Sequence, residues 1–288
     1  MATDSGSERL RAFRVAYDGR PFHGFQRQPS VPTVENALFD ALDDLGVFDP
    51  ADRGRPDGYA AAGRTDAGVS ALAQTVGFRC PDWCTPRALN GELPSDVRAW
   101  AAADASANFH ATHDAERRTY VYDLYGPDLD DGRVADAAAA LAGPHDFHNL
   151  TPDDRGTERE VSIRTERDGD FVALRVAAGG FPRQLVRRIA SVVRSVGSGE
   201  RDLAWIDDLL GPEALDGPEG VPPAPPEPLV LADVAYPELT FDRDARAAGS
   251  AVEVFAARRR DHLIRARVAG RLVDGVDAAD GASPERRG

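Results

Sequence analysis

One aspartate in this chain is set up to do chemistry. Asp66 stands within Gly63-Arg64-Thr65-Asp66-Ala67-Gly68-Val69-Ser70-Ala71, just after a short apolar stretch from Tyr59 to Ala62. Glycines on both sides permit positive φ and let a second backbone or a ligand approach closely. Arg64, two positions away, adds a planar donor fork. Such a carboxylate is either aimed at a reacting atom or caps its own backbone as an Asx turn. The segment alone supports both readings.

A second chemical signal lies between Pro182 and Gly197. Pro182 opens a predicted helix in its first turn, and Gly197 stops it. Leu185, Ile189, Val192, Val193 and Val196 form its buried stripe. Arg183, Arg187 and Arg194 fall on a stripe beside it, with Arg188 adjacent. This is either a solvated basic face or a way to turn one guanidinium inward onto a carboxylate. A buried guanidinium stays charged, holds an acid in two-point geometry and favours its ionised form. A third signal is Arg118-Thr119-Tyr120-Val121-Tyr122. Its alternating tyrosines pack a sheet face, or place a ring and a hydroxyl in a cleft.

Other candidates are weaker. His145 and His148 have the spacing of a metal pair but no third ligand of convincing placement, so packing or hydrogen bonding is expected. Asp18-Gly19 after a strand could be a nucleophile turn, yet no second acidic motif supports it. Arg258-Arg259-Arg260 is a phosphate contact or a solvated run. Cys80 and Cys84 have no second pair, which points to a structural role rather than a metal or disulfide framework.

These groups need elements to hold them. Strands are predicted at Leu10–Tyr17, Tyr59–Ala62, Thr75–Cys80, Val97–Ala103 and Arg118–Tyr125. Thr33 caps a helix carrying Val34, Leu38, Leu42 and Leu45, with Gly46 past its end. Thr85–Glu92 and Val134–Leu141 read as further helices. Glu160–Arg167 and Asp170–Val176 pair around Asp168-Gly169, a hairpin signal. A short helix at Asp202–Leu210 precedes a proline-rich connection, 217–228. Strands at Leu229–Tyr236, Ala251–Ala257 and Leu263–Val268 close the chain. The order fits two α+β halves with largely antiparallel sheets: 10–106 with the aspartate and 107–270 with the tyrosine and arginine motifs. Residues 1–9 and 271–288 are expected to be flexible ends.

The chain of 288 residues is 42% hydrophobic, enough for real cores, and no apolar run reaches the roughly 18 residues that span a bilayer. The N-terminus has acids and serines where a signal peptide needs a basic start and an apolar core, so a cytoplasmic protein is expected. There are 48 acids against 34 bases, and every base is arginine. Acidity without lysine suits a very salty cytoplasm, where carboxylates hold hydrated cations. At ~1 M salt the Debye length is about 3 Å, so net charge does not exclude a polyanionic partner.

Taken together, six segments in order resemble the tRNA pseudouridine synthase A family. They are Tyr17 to Gln28 followed by Thr33-Val34-Glu35; Gly63 to Ala71; Leu89-Asn90-Gly91-Glu92-Leu93-Pro94 with Phe109-His110-Ala111; Arg118 to Tyr122; Gly143 to Phe147; and Gly180 to Ile189. The resemblance implies two ferredoxin-like halves joined into one continuous sheet around a central cleft. It implies isomerisation of uridine in the tRNA anticodon stem-loop, at positions 38, 39 or 40, by a homodimer that needs neither metal nor cofactor. Asp66 matches the catalytic carboxylate, Tyr120 the tyrosine that stacks near the target base, and Arg187 the arginine that pairs with the acid. Arg64, Arg20, Gln26, Gln28, Arg183 and Arg188 are the expected RNA contacts. The family often has histidine at Ser70, arginine at Thr112 and asparagine at Arg188. Two other classes compete: an RNA-binding module without activity, and a nucleoside or glycoside hydrolase.

Overall fold

The computed structural model describes residues 8–215 and 220–280. The first half runs β1 (Arg9–Tyr17), α1 (Val34–Asp44), β2 (Ala60–Ala61), β3 (Ser70–Cys80), α2 (Pro86–Glu92) and β4 (Val97–Asp104). The second runs β5 (Arg117–Tyr125), α3 (Asp131–Leu141), β6 (Gly143–Asp146), β7 (Glu158–Asp168), β8 (Phe171–Ala178), α4 (Leu185–Gly197), α5 (Trp205–Leu209) and β9 (Leu229–Ala235). β10 (Asp242–Arg243) and the long α6 (Ala245–Asp280) follow.

All ten strands join one sheet, ordered β10-β4-β1-β3-β9-β5-β8-β7-β6, with β2 also on β3. Each half repeats one pattern: β4-β1-β3-β2 in the first, β9-β5-β8-β7 in the second. Both are antiparallel ferredoxin-like units of β-α-β-β-α-β order. β2 has only two residues, so it covers β3 at Gly77 and Val76 and leaves the start of β3 free. β9 takes that free edge, pairing in parallel at Ser70↔Val230 and Ala71↔Leu231. The seam between the halves is therefore one very short ladder.

Local chemistry sets the element ends. Thr33 Oγ1 accepts from the Asn36 backbone N–H at 3.2 Å, and Gly46 (φ +66°) closes α1. Thr85 and Asp130 cap α2 and α3 in the same way. The β7–β8 turn has Gly169 at φ +58°, as the Asp-Gly signal predicts. Strand β1 is buried from Ala12 to Tyr17 because it is central, and Phe13 stacks on Phe78 at 4.8 Å.

Several expectations are corrected. The expected strands at Ala251–Ala257 and Leu263–Val268 lie inside α6, because neither has a neighbouring strand and the alanine- and arginine-rich context favours helix. Pro182 precedes α4, which starts at Leu185 after a left-handed Gln184 (φ 62°). Gly197 belongs to that helix: a Cβ there would lie 2.7 Å from Val134 Cγ2, so the glycine lets α3 and α4 touch. The chain does not stay in the second half to residue 270, since β10 pairs with β4 and α6 packs on it. Arg9, expected in the flexible N-terminus, already pairs in β1, and the expected tail from 271 is helical to Asp280. Residues 1–7, 216–219 and 281–288 lie outside the described residues, and with them part of the expected tails and of the proline-rich connection. Among the described residues no helix is long and apolar enough to cross a membrane.

Candidate active site

The Asp66 loop links β2 to β3 and emerges at the seam where β9 begins. Its shape is fixed from several sides. The Val69 N–H donates to the Asp66 carbonyl at 3.2 Å, with Gly68 at φ +82°, as a type II turn requires. Gln74 Nε2 donates to Gly63 O at 2.8 Å, and the buried Tyr17 hydroxyl bonds Thr65 Oγ1 at 2.8 Å. The Phe25 N–H donates to Thr65 O at 3.0 Å. Gly19 lies so close beneath the turn that a Cβ there would sit 2.0 Å from Val69 O. The Asx-turn reading is not what the structure shows: the Asp66 carboxylate reaches outward, 39% exposed, to a partner from the other half.

That partner is Arg187. Its Nη1 donates to Asp66 Oδ2 at 3.1 Å, and its Nε donates to Ala224 O at 2.6 Å. The arginine is 13% exposed, so the ion pair is shielded on its cationic side. Helix α4 places Arg187 at the border of its apolar stripe, one turn past the left-handed Gln184 that re-aims the chain.

Tyr120 completes the lining. It is buried on β5, with its ring edge-on to Phe181 at 5.3 Å and 84°. Burial pushes its hydroxyl up to about 12, Arg118 opposing and Asp66 reinforcing the shift. The phenol is thus neutral over the ordinary pH range. Asp66, Tyr120, Arg187, Arg64, Arg183 and Phe181 line one cleft of about 700 Å³. The other carboxylate in the lining, Glu35, accepts from the Arg27 backbone N–H at 2.8 Å.

The remaining expected contacts are dispersed. Arg64 and Arg183 are exposed at the cleft, and the Arg183 backbone N–H donates to Asp153 at 2.8 Å. Gln26 and Gln28 are exposed on the loop after β1 and do not line the cleft; Gln28 Nε2 donates to His23 O at 2.9 Å. Arg20 is bound to Asp18 and lines a different, larger cavity of about 1060 Å³, together with Arg194 and Arg258. Arg188 is the clear departure. Its guanidinium donates to Val221 O and Gln184 Oε1, and burial followed by the neighbouring Arg187 charge lowers its pKa. It fastens the segment that runs beside α4 rather than facing the cleft.

Arg118 went unassigned in the sequence, yet it does most to hold the cleft walls. It donates to Ala62 O (2.9 and 2.6 Å), Thr112 O (2.7 Å) and Gly179 O (2.5 Å), joining both halves. The signal was present: Arg118 has the same alternation phase as Tyr120 and Tyr122, a charge on an otherwise apolar face. Ser70 and Thr112, two of the three positions that depart from the family pattern, have structural partners. Ser70 Oγ accepts from the Gly19 N–H at 3.0 Å, and Thr112 Oγ1 donates to Ala61 O at 2.6 Å. His145 meets Ala142 O at 3.0 Å and His148 meets Asp146 at 3.3 Å, which suits packing rather than a shared ion.

Comparison with known proteins places the chain in a family. A family model described as tRNA pseudouridine synthase matches residues 137–237. The tRNA pseudouridine synthase A of Haloarcula marismortui is 57% identical over 93% of this chain and 100% of its own length. Those of Natronomonas pharaonis (60% over 91% and 98%) and Halobacterium salinarum (57% over 91% and 98%) are similar. These relatives come from halophilic archaea, in keeping with the acidic, lysine-free composition. The chain belongs to the tRNA pseudouridine synthase A family.

Proposed function

We propose that this chain isomerises uridine to pseudouridine in the anticodon stem-loop of tRNA, at one or more of positions 38, 39 and 40, in the cytoplasm and as a homodimer. The observation that carries the reading is the Arg187–Asp66 pair, 3.1 Å apart across the seam in a cleft shared with Tyr120. The reaction breaks the N1–C1′ bond, turns the uracil and joins C5 to C1′. The C5 proton is lost and N1 gains one, so nothing is oxidised.

Asp66 either attacks C1′ or takes the C2′ proton. Both roles need an ionised, aimed carboxylate. Arg187 holds it in place, and the braced turn fixes its backbone. Tyr120 and Phe181 offer an apolar floor that retains the detached uracil. The target base must leave its stack, at a cost of a few kcal/mol. Arg64, exposed at the rim, would hold the flipped nucleotide and its phosphates, joined by Arg183 when its guanidinium exchanges Asp153 for a phosphate. Arg20, Gln26 and Gln28 would act farther along the RNA.

The test is Asp66→Asn assayed on tRNA transcripts with pseudouridine mapping. Folding and tRNA binding should stay near wild type while pseudouridine formation is abolished; retained turnover overturns the assignment. Release of free uracil by the wild-type enzyme would identify a hydrolase, and tRNA binding with no product in a single turnover would identify an inactive RNA-binding module.

A further inference from the structure

The arginine run Arg258-Arg259-Arg260 is divided in the structure. Arg258 ties α6 to Asp18 (2.9 Å) and Asp96 (2.6 Å). Arg259 and Arg260 are exposed, and so is every residue from there to Ala278. From Arg258 to Arg271 the helix carries six arginines against one acid, Asp261, in a chain whose acids outnumber its bases by 48 to 34.

Spacing sorts these arginines. Arg260, Ile264, Arg267 and Arg271 follow at i, i+4, i+7 and i+11, so they share one stripe of the helix. Arg259, Arg260 and Arg267 line a shallow groove there with Leu263 and Ile264. No acid stands three or four residues from Arg259, Arg260 or Arg267. Among the described residues Arg258 is the member of this group that forms ion pairs. Asp274, one turn past Arg271, closes the stripe. Arg267 and Arg271 repel each other at i, i+4, on a helix that is marginal without a partner. An anion laid along the stripe removes that cost.

The stripe is continuous with the larger cavity, since Arg259 lines both. Arg20, one of the expected RNA contacts, and Arg194 face the same cavity. Tyr125 and Phe171, 61% and 45% exposed, line it as well and offer flat faces on which bases can stack. Its acids do not extend onto α6: Asp18 is held by Arg20 and Arg258, and Asp123, Glu200 and Glu227 belong to other walls. Ala224, whose carbonyl accepts from Arg187, also lines this cavity. A basic path therefore starts beside the Asp66 cleft, crosses the cavity and leaves along α6.

We propose that Arg259, Arg260, Arg267 and Arg271 form a track for the phosphate backbone of tRNA outside its anticodon stem-loop. The stripe from Arg260 to Arg271 spans roughly 16 Å of helix, enough to meet successive phosphates of one strand. At ~1 M salt, charge is screened beyond about 3 Å. What survives is direct two-point hydrogen bonding to phosphate oxygens, for which arginine is suited. The inference takes from the proposed function only that tRNA is the ligand; it does not depend on the role of Asp66.

The experiment measures binding of a tRNA transcript to the full-length protein over a series of potassium chloride concentrations, with hydroxyl-radical footprinting of the RNA. The triple variant Arg260→Gln, Arg267→Gln, Arg271→Gln should bind at least 10-fold more weakly, with unchanged thermal unfolding. Its slope of log affinity on log salt should be shallower by about 2 to 3. Wild type should protect backbone positions outside the anticodon stem-loop that the triple variant leaves open. Arg267→Gln alone should weaken binding, whereas Arg265→Gln, on the other side of the helix, should not. Unchanged affinity in the triple variant, protection lost only within the stem-loop, an equal loss from Arg265→Gln, or a wild type that does not bind tRNA overturns the track. Pseudouridine formation by wild type, measured in parallel, separates the two readings. Product together with an unaffected triple variant refutes the track alone; weakened binding by the triple variant of a protein that makes no product refutes the proposed reaction alone.

Discussion

Replacing Gly19 by alanine should slow the reaction without touching any reacting group. An ideal Cβ at position 19 would stand 2.0 Å from Val69 O and 2.3 Å from Val69 C. Real Cβ contacts are essentially never under 3.0 Å, and ordinary contact begins at 3.4 Å. The two backbones must therefore separate by roughly 1 to 1.4 Å, the difference between those distances and 2.0 Å. Val69 is bonded to the Asp66 carbonyl at 3.2 Å, so the displacement passes into the turn that carries the acid. A misplacement of about 1 Å at a reacting group costs on the order of 100-fold in rate. The assay is single-turnover pseudouridine formation with tRNA binding measured in parallel. Gly19→Ala should lower the rate about 100-fold with binding within a few-fold of wild type. Gly91→Ala is the control: nothing lies within 4 Å of its Cβ, and α2 should gain about 0.5–1 kcal/mol. A Gly19→Ala rate within threefold of wild type would refute the reasoning.

Further expectations concern individual charges. Arg187→Gln removes a charge-assisted bond worth about 1.5–3 kcal/mol, so the rate should fall roughly 10- to 100-fold with little change in tRNA affinity; an unchanged rate would deny Arg187 its role. Burial opposes ionisation of Asp18, but hydrogen bonds from Arg20 and then Arg258 outweigh it and lower the group from 3.8 to about 2. Its folded-state value lies below the unfolded one, so its stabilisation is present above about pH 4 and is lost as pH falls toward 2. At pH 6, Asp18→Asn should unfold about 2 kcal/mol more easily than wild type, and the gap should close near pH 2. With the Tyr120 hydroxyl held near 12, the rate should show no ionisation of this group up to pH 10. A limb near pH 10 that disappears in Tyr120→Phe would contradict that.

The parts of this fold legible in the sequence are those decided locally. Thr33, Thr85 and the Asp168-Gly169 turn signal their elements through their own hydrogen bonds and dihedral angles, and each element forms where expected. The stripe on α4 is just as plain, because burial of one face dictates its period. What the sequence hides is decided by neighbours. The α6 segments read as strands because short apolar runs cannot be told from helix without knowing whether a sheet edge awaits them. Arg187 and Arg188 are adjacent and chemically identical; only the path of residues 221–224 beside α4 sends one into the cleft and the other onto Val221 O. The equivalence of the two halves leaves no repeat in the residues, since strand order records packing rather than identity.

The return of the chain to its first half has a consequence for how the protein is made. β4 waits with an open edge until β10 and α6 arrive, some 140 residues later in synthesis. An alanine-rich strand with one open edge is an invitation to wrong partners. The emerging chain must keep that edge safe while the entire second half is being built. The seam also closes late, because β9 reaches β3 only after residue 229. The Asp66 turn is thus translated and braced early, but a truncated product that stops short of β9 carries it without the partner strand that completes the seam.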